Sequence, residues 1–438
     1  MTLRNKISYL KGYLKGLFEF EKTNNIPSSN VMLYCHDFTR NYSFNNLHYS
    51  SIIDSVGDLF KYTRPITIAR PYSSLDIKKC YGRVHKVNGK FARARLIDLI
   101  FNKFGRQIKD KYKILFWGEV LDKVRPKVIL GVEPDKELCI AAKKRGIIVF
   151  DFQHGIIAAE PTANYYRLEH RAPNQEGWPD YIVCRDRPSK NWLNTFRGNY
   201  TNPIVTTHPW FARFINRHQN DELVNEFSKK IHIKKKNPVI LYSLQHLRDK
   251  AGRPHLFAPI PPMIIKYMMS ERGKKFDWWF RLHPILLADS NYSKVLKILE
   301  EKFAGLSNVF WDFPTTAPLP YLLNFVDLHF TRDSSMTMEV AIFNIKTGLL
   351  DMREKHSILR NVFKKELKNK MAKIIPLDEQ ESLIHFIDQS IVNRKAMKNP
   401  FYDLLEVSEL ISEIEKGTDS VESPKKGIEK AFEFSKFE

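Results

Sequence analysis

Short apolar runs alternate with segments of helical periodicity along most of the chain, and this alternation constrains the fold more than any other feature. Residues 128–131 and 147–152 are the clearest runs, and both have the length and β-branched content of buried strands. The segments between such runs have the spacing of roughly ten- to fifteen-residue helices. Parallel strands require crossovers of that kind. The sequence therefore predicts an α/β fold with parallel sheets.

The chain is too long for one hydrophobic core. Its 438 residues match two domains of about 200 residues each. Residues 217–236 are polar, charged and poor in aromatic side chains, so we place the interdomain connection there. We expect a first Rossmann-like domain over residues 1–225, a second over residues 226–390 and a helical extension over residues 391–438.

The chain carries a large excess of positive charge. Lysine and arginine number 70, and aspartate and glutamate number 49, which gives a net charge of 70 − 49 = +21. Such an excess indicates a polyanionic partner, which could be nucleic acid, an anionic membrane surface or an acidic substrate. The lysine runs, such as residues 234–236, lack interleaved aromatic side chains and any RNA-binding module. We therefore expect no nucleic-acid partner.

The sequence lacks the motifs of several cofactor sites. Its four cysteines are scattered without CxxC spacing, so no metal site or disulfide framework is predicted and a reducing compartment is the default. No GxGxxG motif follows the first strand, which removes support for a bound dinucleotide. No paired-aspartate Mg²⁺ motif lies between apolar strands. We expect neither a cofactor nor a metal ion.

Residues 1–24 have a basic amphipathic pattern. Apolar side chains recur at alternating steps of four and three residues, at Leu3, Ile7, Leu10, Leu14 and Leu17. Such a helix either packs on its own domain or docks on an anionic bilayer, and both interpretations stay open. No apolar run approaches the roughly 18–20 residues of a membrane span, and no secretory signal opens the chain. We expect a cytoplasmic protein, attached at most peripherally to the inner membrane face.

Two motifs follow predicted strands in the second half of the chain. They are FRLHP at residues 280–284 and TRDSSMTME at residues 331–339. In doubly wound sheets, ligands bind beyond the carboxyl ends of the strands, and a helix N-terminus at that edge attracts anions. We expect His283, Ser334 and Ser335 to bind a phosphate there.

Two further residues complete this predicted nucleotide site. Arg281 lies within the first motif, and we include it among the donor-binding residues. Glu339 lies one helical turn beyond the paired serines, where its carboxylate could accept hydrogen bonds from a ribose. Together these groups predict a nucleotide site without a glycine-rich loop.

A third motif, FQHG at residues 152–155, ends a strand of the first half and turns at a glycine. We expect His154 to face the cleft between the two domains, although a histidine after a strand is often structural. Glu160 follows in the next loop, where a carboxyl group with a raised pKa could serve as general acid and base. An exposed loop glutamate without a catalytic role is the alternative interpretation of Glu160.

The segment LYSLQHLRD, residues 241–249, follows the first strand of the second half. This position would deliver Asp249 to the cleft floor near the phosphate site. A carboxylate beside an anomeric carbon can act as a nucleophile and divide sugar transfer into two displacements with net retention. Asp249 could equally cap a helix or pair with a neighbouring arginine.

The combination of QHG, RLHP and paired serines followed by a glutamate resembles the bacterial GT-B glycosyltransferases that build capsules and lipopolysaccharide. The resemblance spans roughly residues 128–350. His-Pro and paired-serine motifs are shared by bacterial sialyltransferases and Kdo transferases, which use CMP-activated acid sugars. The resemblance implies that His283, Ser334 and Ser335 hold the CMP phosphate.

The families that share these motifs use different donors. The pair Gln245 and Asp249 looks like the retaining β-Kdo transferases, which implies donor binding by Gln245 and a nucleophilic Asp249. Sialyltransferases carry an acidic motif where this chain has Gln153-His154-Gly155, and this departure disfavours sialic acid transfer. Teichoic-acid glycerophosphotransferases also show HG and HP motifs, so the resemblance extends to them as well.

The resemblance implies the GT-B architecture, in which two Rossmann-like domains face each other across a cleft. The first domain would bind a glycan or glycolipid acceptor and the second a nucleotide-sugar donor. We expect metal-independent transfer of Kdo from CMP-Kdo, with Asp249 as nucleophile and Glu160 as acid and base. The alternatives are a sialyltransferase using CMP-sialic acid and a glycerophosphotransferase using CDP-glycerol, in which His154 would be the base.

Overall fold

The computed structural model describes residues 26–73, 75–103, 110–155, 157, 175–195, 200–215, 221–231, 233, 237–244, 260–283, 292–351, 356–392 and 406–419. These residues divide into two compact units. The first lies within Met1–Ile157, Asn164–Ala212 and Leu404–Glu438, and the second lies within Arg213–Asp403.

The first unit is built on a parallel sheet of seven strands in the order β5-β4-β1-β6-β7-β8-β9. These strands are β1 (Val31–Cys35), β4 (Ile66–Ala69), β5 (Val84–His85), β6 (Val128–Gly131), β7 (Ile148–Phe152), β8 (Tyr181–Cys184) and β9 (Asn202–Val205). A small antiparallel hairpin joins β2 (Tyr42–Phe44) to β3 (Leu47–Tyr49). The chain runs outward from β1 in one direction and then from β6 in the other, so the strand order reverses between β1 and β6.

Helices cover both faces of this sheet. They are α1 (Ile53–Gly57), α2 (Asn88–Lys103), α3 (Lys111–Val124), α4 (Lys136–Lys143) and α5 (Arg187–Thr195). Helix α6 (Pro209–Ile215) follows β9 and spans the boundary between the two units. Successive side chains of a strand point to opposite faces, and β1 shows the result. Met32 and Tyr34 share one core cluster with side chains of α2, α3 and α4, whereas Val31 and Leu33 share another with side chains of α1.

The second unit has a parallel sheet of six strands in the order β12-β11-β10-β13-β14-β15. The strands are β10 (Val239–Ser243), β11 (Asp277–Arg281), β12 (Val309–Phe310), β13 (Leu328–Thr331), β14 (Lys346–Asp351) and β15 (Ala372–Pro376). This is the strand order of the doubly wound dinucleotide-binding fold, with its reversal between β10 and β13.

Most helices of the second unit lie in the crossovers between its strands, whereas the first precedes β10 and the last follows β15. They are α7 (Glu222–Lys230), α8 (Pro262–Met268), α9 (Tyr292–Phe303), α10 (Asp312–Thr316), α11 (Leu319–Leu323), α12 (Met336–Ala341), α13 (His356–Val362), α14 (Lys364–Lys368) and α15 (Gln380–Val392). Helix α7 lies inside residues 217–236, the stretch that the sequence suggests as a connection. Leu223 and Phe227 of this helix are buried, so part of that polar stretch folds against the protein.

The last described helix, α16 (Val407–Asp419), belongs to the first unit although it follows the second in sequence. Its apolar side chains join the core cluster around Val31 and Leu33; they are Val407, Leu410, Ile411 and Ile414. The Glu415 carboxylate accepts hydrogen bonds from the backbone N–H groups of Lys61, Tyr62 and Thr63 at 3.2, 2.8 and 2.6 Å. The C-terminal helix therefore completes the N-terminal sheet.

The predicted fold class is confirmed, because both units are α/β and both main sheets are parallel. Across the described ranges, no helix is long and apolar enough to span a bilayer.

Candidate active site

Polar side chains gather at the carboxyl ends of the strands that flank the reversal in the first sheet. His36 follows β1, Arg70 follows β4, Glu133 and Asp135 follow β6, and His154 follows β7. The carboxyl edge at such a reversal is where open α/β sheets bind ligands. The fold therefore brings together residues that are more than a hundred positions apart in sequence.

His154 is the one sequence-predicted catalytic residue that the structure places in this group. Its side chain is 19% exposed, and its Nε2 atom lies 3.8 Å from Oε1 of Glu133. Burial, together with the positive charges of Arg185 and Arg70, lowers the pKa of His154 to about 4. The imidazole is therefore neutral at pH 7 and can accept a proton. The Glu133 contact is too long for a hydrogen bond, but a carboxylate this close favours the imidazolium once it forms.

Glu133 is held beside His154 in an unusual backbone conformation. Its φ angle is 46°, which is in the left-handed region that glutamate rarely adopts. The backbone N–H of Glu133 donates to Oδ1 of the buried Asp151 in β7 at 2.8 Å. That hydrogen bond ties the loop after β6 to the neighbouring strand, and strained backbone of this kind is frequent at functional sites.

Arg70 contacts the other members of the group: the acidic residues Glu133 and Asp135, and His36. The Nη1 atom of Arg70 lies 2.8 and 2.7 Å from the two ring nitrogens of His36 and 3.7 Å from Oε2 of Glu133. Its Nη2 atom lies 3.3 Å from Oδ1 of Asp135. Burial and the charge of Arg70, with a smaller effect of His154, lower the pKa of His36 to about 2. His36 is thus a neutral group beside a fixed positive charge.

The side chain of Gln153 fixes the FQHG turn that presents His154. Its Nε2 atom donates to the carbonyl of Gly155 at 2.8 Å and to Oγ of Ser189 at 3.1 Å. Its Oε1 atom accepts from the backbone N–H of Arg185 at 3.0 Å. This buried amide therefore ties the turn after β7 to the end of β8, and the position of His154 follows from it.

At the reversal in the second sheet, a buried histidine connects three strands. His329 of β13 pairs through Nε2 with Oγ of Ser243 at 2.8 Å and through Nδ1 with Oγ1 of Thr347 at 3.0 Å. The Ser243 hydroxyl also lies 3.1 Å from Sδ of Met336, the first residue of α12. Burial lowers the pKa of His329 to about 3. The neutral ring joins three neighbouring strands, and Ser243, the last residue of β10, connects this network to the start of α12.

The predicted phosphate-binding residues lie at the same edge of the second sheet. His283 follows β11, and Ser334 and Ser335 follow β13, with β10 between these two strands. Ser334 Oγ accepts a hydrogen bond from the backbone N–H of Met336 at 3.2 Å, which helps to begin α12. Glu339 lies within this helix, one turn further along. All four of these side chains are half-buried.

Arg281 has a different environment from the other predicted donor-binding residues. Its side chain is buried, and its Nη1 atom donates to the carbonyl oxygens of Pro314 and Ala317, the latter at 2.8 Å. These contacts hold the segment that contains α10 against the end of β11. A part for Arg281 in donor binding stays a prediction.

Three predicted site residues lie outside the residues that the structure describes: Glu160, Gln245 and Asp249. Their proposed catalytic and donor-binding parts stay predictions. Conversely, sequence reasoning missed His36, Arg70 and Glu133. The available signal was their position directly after predicted strands, which alone does not distinguish a functional residue from a turn residue.

The fold has neighbours among solved structures, all of low sequence identity. UDP-GlcNAc 2-epimerase from Neisseria meningitidis, bound to UDP-GlcNAc, is 13% identical with a TM-score of 0.54; the match covers 87% of this chain and 98% of the epimerase. The wall teichoic acid polymerase TagF is 14% identical with a TM-score of 0.55, covering 98% of this chain and 99% of the TagF chain. A TagF structure soaked with CDPG is 14% identical with a TM-score of 0.53, and the match covers 99% of this chain and 100% of the TagF chain. No protein-family model and no curated protein matches the chain.

These similarities show that the chain has a GT-B-like fold with two α/β units. The fold class implied by the sequence motifs is thereby confirmed. The identities are too low to carry an activity or a substrate over to this chain.

Proposed function

We propose that this chain is a transferase that moves a group from a cytidine-nucleotide donor to a hydroxyl group of a surface glycan or glycolipid. The observation that carries the proposal is the neutral His154 beside Glu133 at the carboxyl edge of the first sheet. A neutral imidazole can take the proton of an attacking hydroxyl group, and the adjacent carboxylate stabilises the resulting imidazolium.

The surroundings of His154 make its imidazole a weak base. Burial and the positive charges of Arg185 and Arg70 lower its pKa to about 4. The Glu133 carboxylate, 3.8 Å from Nε2, has the opposite effect on the imidazolium, because a nearby negative charge stabilises it once the proton has been taken.

The donor phosphate would bind at the carboxyl edge of the second sheet. His283, Ser334 and Ser335 would hydrogen-bond its oxygens, and Glu339 would accept from the ribose. The doubly wound strand order supports this assignment, because nucleotides bind at the reversal of such sheets. The contact of Ser243 with both His329 and Met336 supports it further, because it ties the end of β10 to the start of α12, the helix that follows the paired serines.

CMP-Kdo is the donor that the sequence motifs favour. In that reaction Asp249 would attack the anomeric carbon and CMP would leave with the bonding electrons. Glu160 or His154 would then deprotonate the acceptor hydroxyl, which would displace the aspartate with net retention. Gln245 would position the sugar.

CDP-glycerol is the second candidate donor, and two observations favour it. The described residues supply a base, His154, without requiring a covalent intermediate, and the structural neighbours include TagF soaked with CDPG. The acceptor hydroxyl would lose its proton to His154 and attack the β-phosphorus, and CMP would leave. This reaction does not need Asp249 as a nucleophile.

Peripheral attachment to an anionic bilayer would bring the enzyme to a lipid-linked acceptor. Helix α2 supports this part of the proposal, because Leu96, Leu99 and Ile100 are 37%, 52% and 45% exposed. Their spacing places these three residues on one face of the helix. The net charge of +21 suits an anionic surface.

Donor specificity can be tested directly with purified protein. CMP-Kdo, CMP-sialic acid and CDP-glycerol would be incubated separately, and CMP release and intact protein mass would be measured. CMP release with a one-sugar mass increase on residues 245–250 would support the Kdo reaction. CMP release without an adduct, from CDP-glycerol only, would support the second candidate. If none of the three donors released CMP with or without a glycan extract, the proposed function would be wrong.

A further inference from the structure

A cavity of about 750 Å³ lies in the first unit beside the group around Arg70. Its walls come from the ends of β1 and β4, from α2, and from the start of α3 and α4. The volume is within the range of small-molecule sites. Arg70 lines the cavity and also contacts Glu133, the neighbour of His154. A molecule in this cavity would therefore lie next to the proposed base.

The charge of the cavity wall is opposite to that of the protein as a whole. Three cationic side chains line it: Arg70, Arg95 and Lys113. His36 also lines it and is neutral at pH 7, since its pKa is lowered to about 2 by burial, Arg70 and His154. The lining carboxylates are more numerous: Asp37, Asp98, Asp110, Asp135 and Glu137. These carboxylates already have partners in the protein, such as Lys113 for Asp110 and Glu137. Each carboxylate oxygen has a second lone pair, so the wall still favours a ligand that donates hydrogen bonds and disfavours a phosphate.

One wall of the cavity is aromatic. The rings of Tyr72 and Phe91 meet edge to face with centroids 5.7 Å apart, and the guanidinium of Arg95 lies 5.9 Å from the centroid of the Tyr72 ring. Sugars combine an apolar C–H face with a rim of hydroxyl groups. A cavity lined by aromatic rings, carboxylates and arginines matches both parts of a sugar.

The loop that carries Tyr72 is held in a set conformation. Tyr72 has a φ angle of 70°, which costs free energy for a residue with a bulky side chain. The Asn88 side chain offsets this cost. Its Oδ1 atom accepts from the backbone N–H groups of Tyr72 and Ser73 at 2.8 and 3.2 Å, and its Nδ2 atom donates to the carbonyl of Ser73 at 2.9 Å. The aromatic wall is therefore pre-organised rather than formed by ligand binding.

We infer that this cavity binds an uncharged, hydroxyl-rich sugar unit of the acceptor, and this inference rests on the proposed transferase function. Tyr72 provides the stacking surface, the lining carboxylates accept the sugar hydroxyl groups, and Arg70 marks the end nearest His154. The hydroxyl group that reacts would lie at that end. Phosphate groups of the donor belong to the other unit.

Ligand-observed saturation-transfer NMR with neutral disaccharides, in the absence of donor, tests this inference. Maltose, lactose, cellobiose and chitobiose would be tested up to about 10 mM, well into the range of weak binding. At least one should bind, and inorganic phosphate should not displace it. If no disaccharide binds, or if phosphate displaces the one that does, the inference is wrong.

Two tyrosine variants locate the binding. Tyr72→Asn removes the ring, and asparagine tolerates the left-handed backbone, so binding should weaken about tenfold or more. Tyr62→Asn is the matched control, because Tyr62 in the same unit is 84% exposed, and its binding should equal wild type. If Tyr72→Asn does not fold, Asp37→Asn, which preserves the size of the side chain, should weaken binding instead. Equal binding by the folded Tyr72 or Asp37 variant and wild type would overturn the assignment to this cavity.

The donor assay separates this inference from the proposed function. Release of CMP from a donor by a protein that binds no neutral sugar would overturn the inference alone. Sugar binding in the cavity by a protein that releases CMP from none of the three donors would overturn the transferase function while supporting a sugar-binding site.

Discussion

Four histidines are kept neutral at pH 7 by burial, and their positions explain much of the candidate site. The pKa is lowered to about 4 for His154, about 3 for His208 and His329, and about 2 for His36. His329 and His208 accept or share hydrogen bonds that shape strand ends and turns. His154 and His36 instead lie beside Arg70 at the carboxyl edge of the first sheet.

The lowered pKa values predict loss of stability in mild acid. Unfolded histidines gain protons as the pH falls below about 6.5, whereas the folded ones stay neutral until the pH reaches their lowered pKa. Each buried neutral histidine therefore stabilises the fold fully above about pH 6.5. As the pH falls from there towards the pKa of the folded state, this contribution to the free energy of unfolding decreases by up to about 1.4 kcal/mol per pH unit. The free energy of unfolding, measured with urea, should decrease between pH 6.5 and about pH 4.5 in both wild type and His329→Gln. The decrease should be about 2 kcal/mol smaller for His329→Gln, which lacks the buried imidazole. Identical pH dependence in the two proteins would contradict the assignment of a buried neutral His329.

A second residue-scale prediction concerns the phosphate site. His283→Ala removes a hydrogen-bond donor from the proposed site, so CMP binding should become less favourable by about 1.5–3 kcal/mol. Ser335→Ala should have a smaller effect, because the backbone N–H groups remain. Isothermal titration of CMP measures both. Wild-type affinity in a folded His283→Ala variant would remove the basis for this site.

At the residue scale, the sequence reveals site residues only where a motif marks them. His154 and His283 could be predicted because each lies in a strand-ending motif with glycine or proline. Arg70 and Glu133 could not, since their importance depends on which strands become neighbours. That neighbourhood is set by the reversal between β1 and β6, which no local pattern specifies.

At the scale of elements, the buried parallel strands were the easiest features to predict. Residues 128–131 and 147–152, the clearest runs in the sequence, form β6 and β7. The region of α13, α14 and β15 gave no such signal, because it is rich in lysine and β15 is only partly buried. The β2–β3 hairpin was also missed, since its strands are short and carry polar residues.

Helix α2 provides the element-scale prediction. If its exposed apolar face docks on lipid, the double variant Leu99→Glu and Ile100→Glu should lose binding to vesicles that contain anionic phosphatidylglycerol, because buried carboxylates are costly in a bilayer interface. Co-flotation with vesicles measures the binding. Ser382→Glu, on the helix α15 of the other unit, is the control and should bind as wild type does. Retained flotation of the double variant would show that this face is not the docking surface.

At the scale of the whole molecule, the chain returns to its first unit after completing the second. The sequence shows a helical pattern near the C-terminus, but not which core it joins, because that choice depends on contacts with residues more than 350 positions earlier. The two-unit α/β organisation could be predicted from the alternation of strands and helices. The membership of α16 could not.

The return of the chain makes the C-terminal helix essential to the N-terminal sheet. Leu410→Ala should lower the free energy of unfolding by about 2–5 kcal/mol, because it leaves a cavity in a fully packed core. Glu409→Ala changes an exposed neighbour on the same helix and should alter stability by less than about 0.5 kcal/mol. Chemical denaturation followed by tryptophan fluorescence measures both. Equal stability of the two variants would show that α16 contributes little to the first unit.

The central claim is that a neutral His154 removes a proton from the acceptor. The most direct measurement is acceptor-dependent CMP release by His154→Asn, with the exposed His385→Asn on α15 as the control and with CMP affinity measured in parallel. We predict that His154→Asn loses about 10²- to 10⁴-fold in acceptor-dependent rate and binds CMP as wild type does, and that His385→Asn keeps both. Transfer by His154→Asn at the wild-type rate would contradict the account.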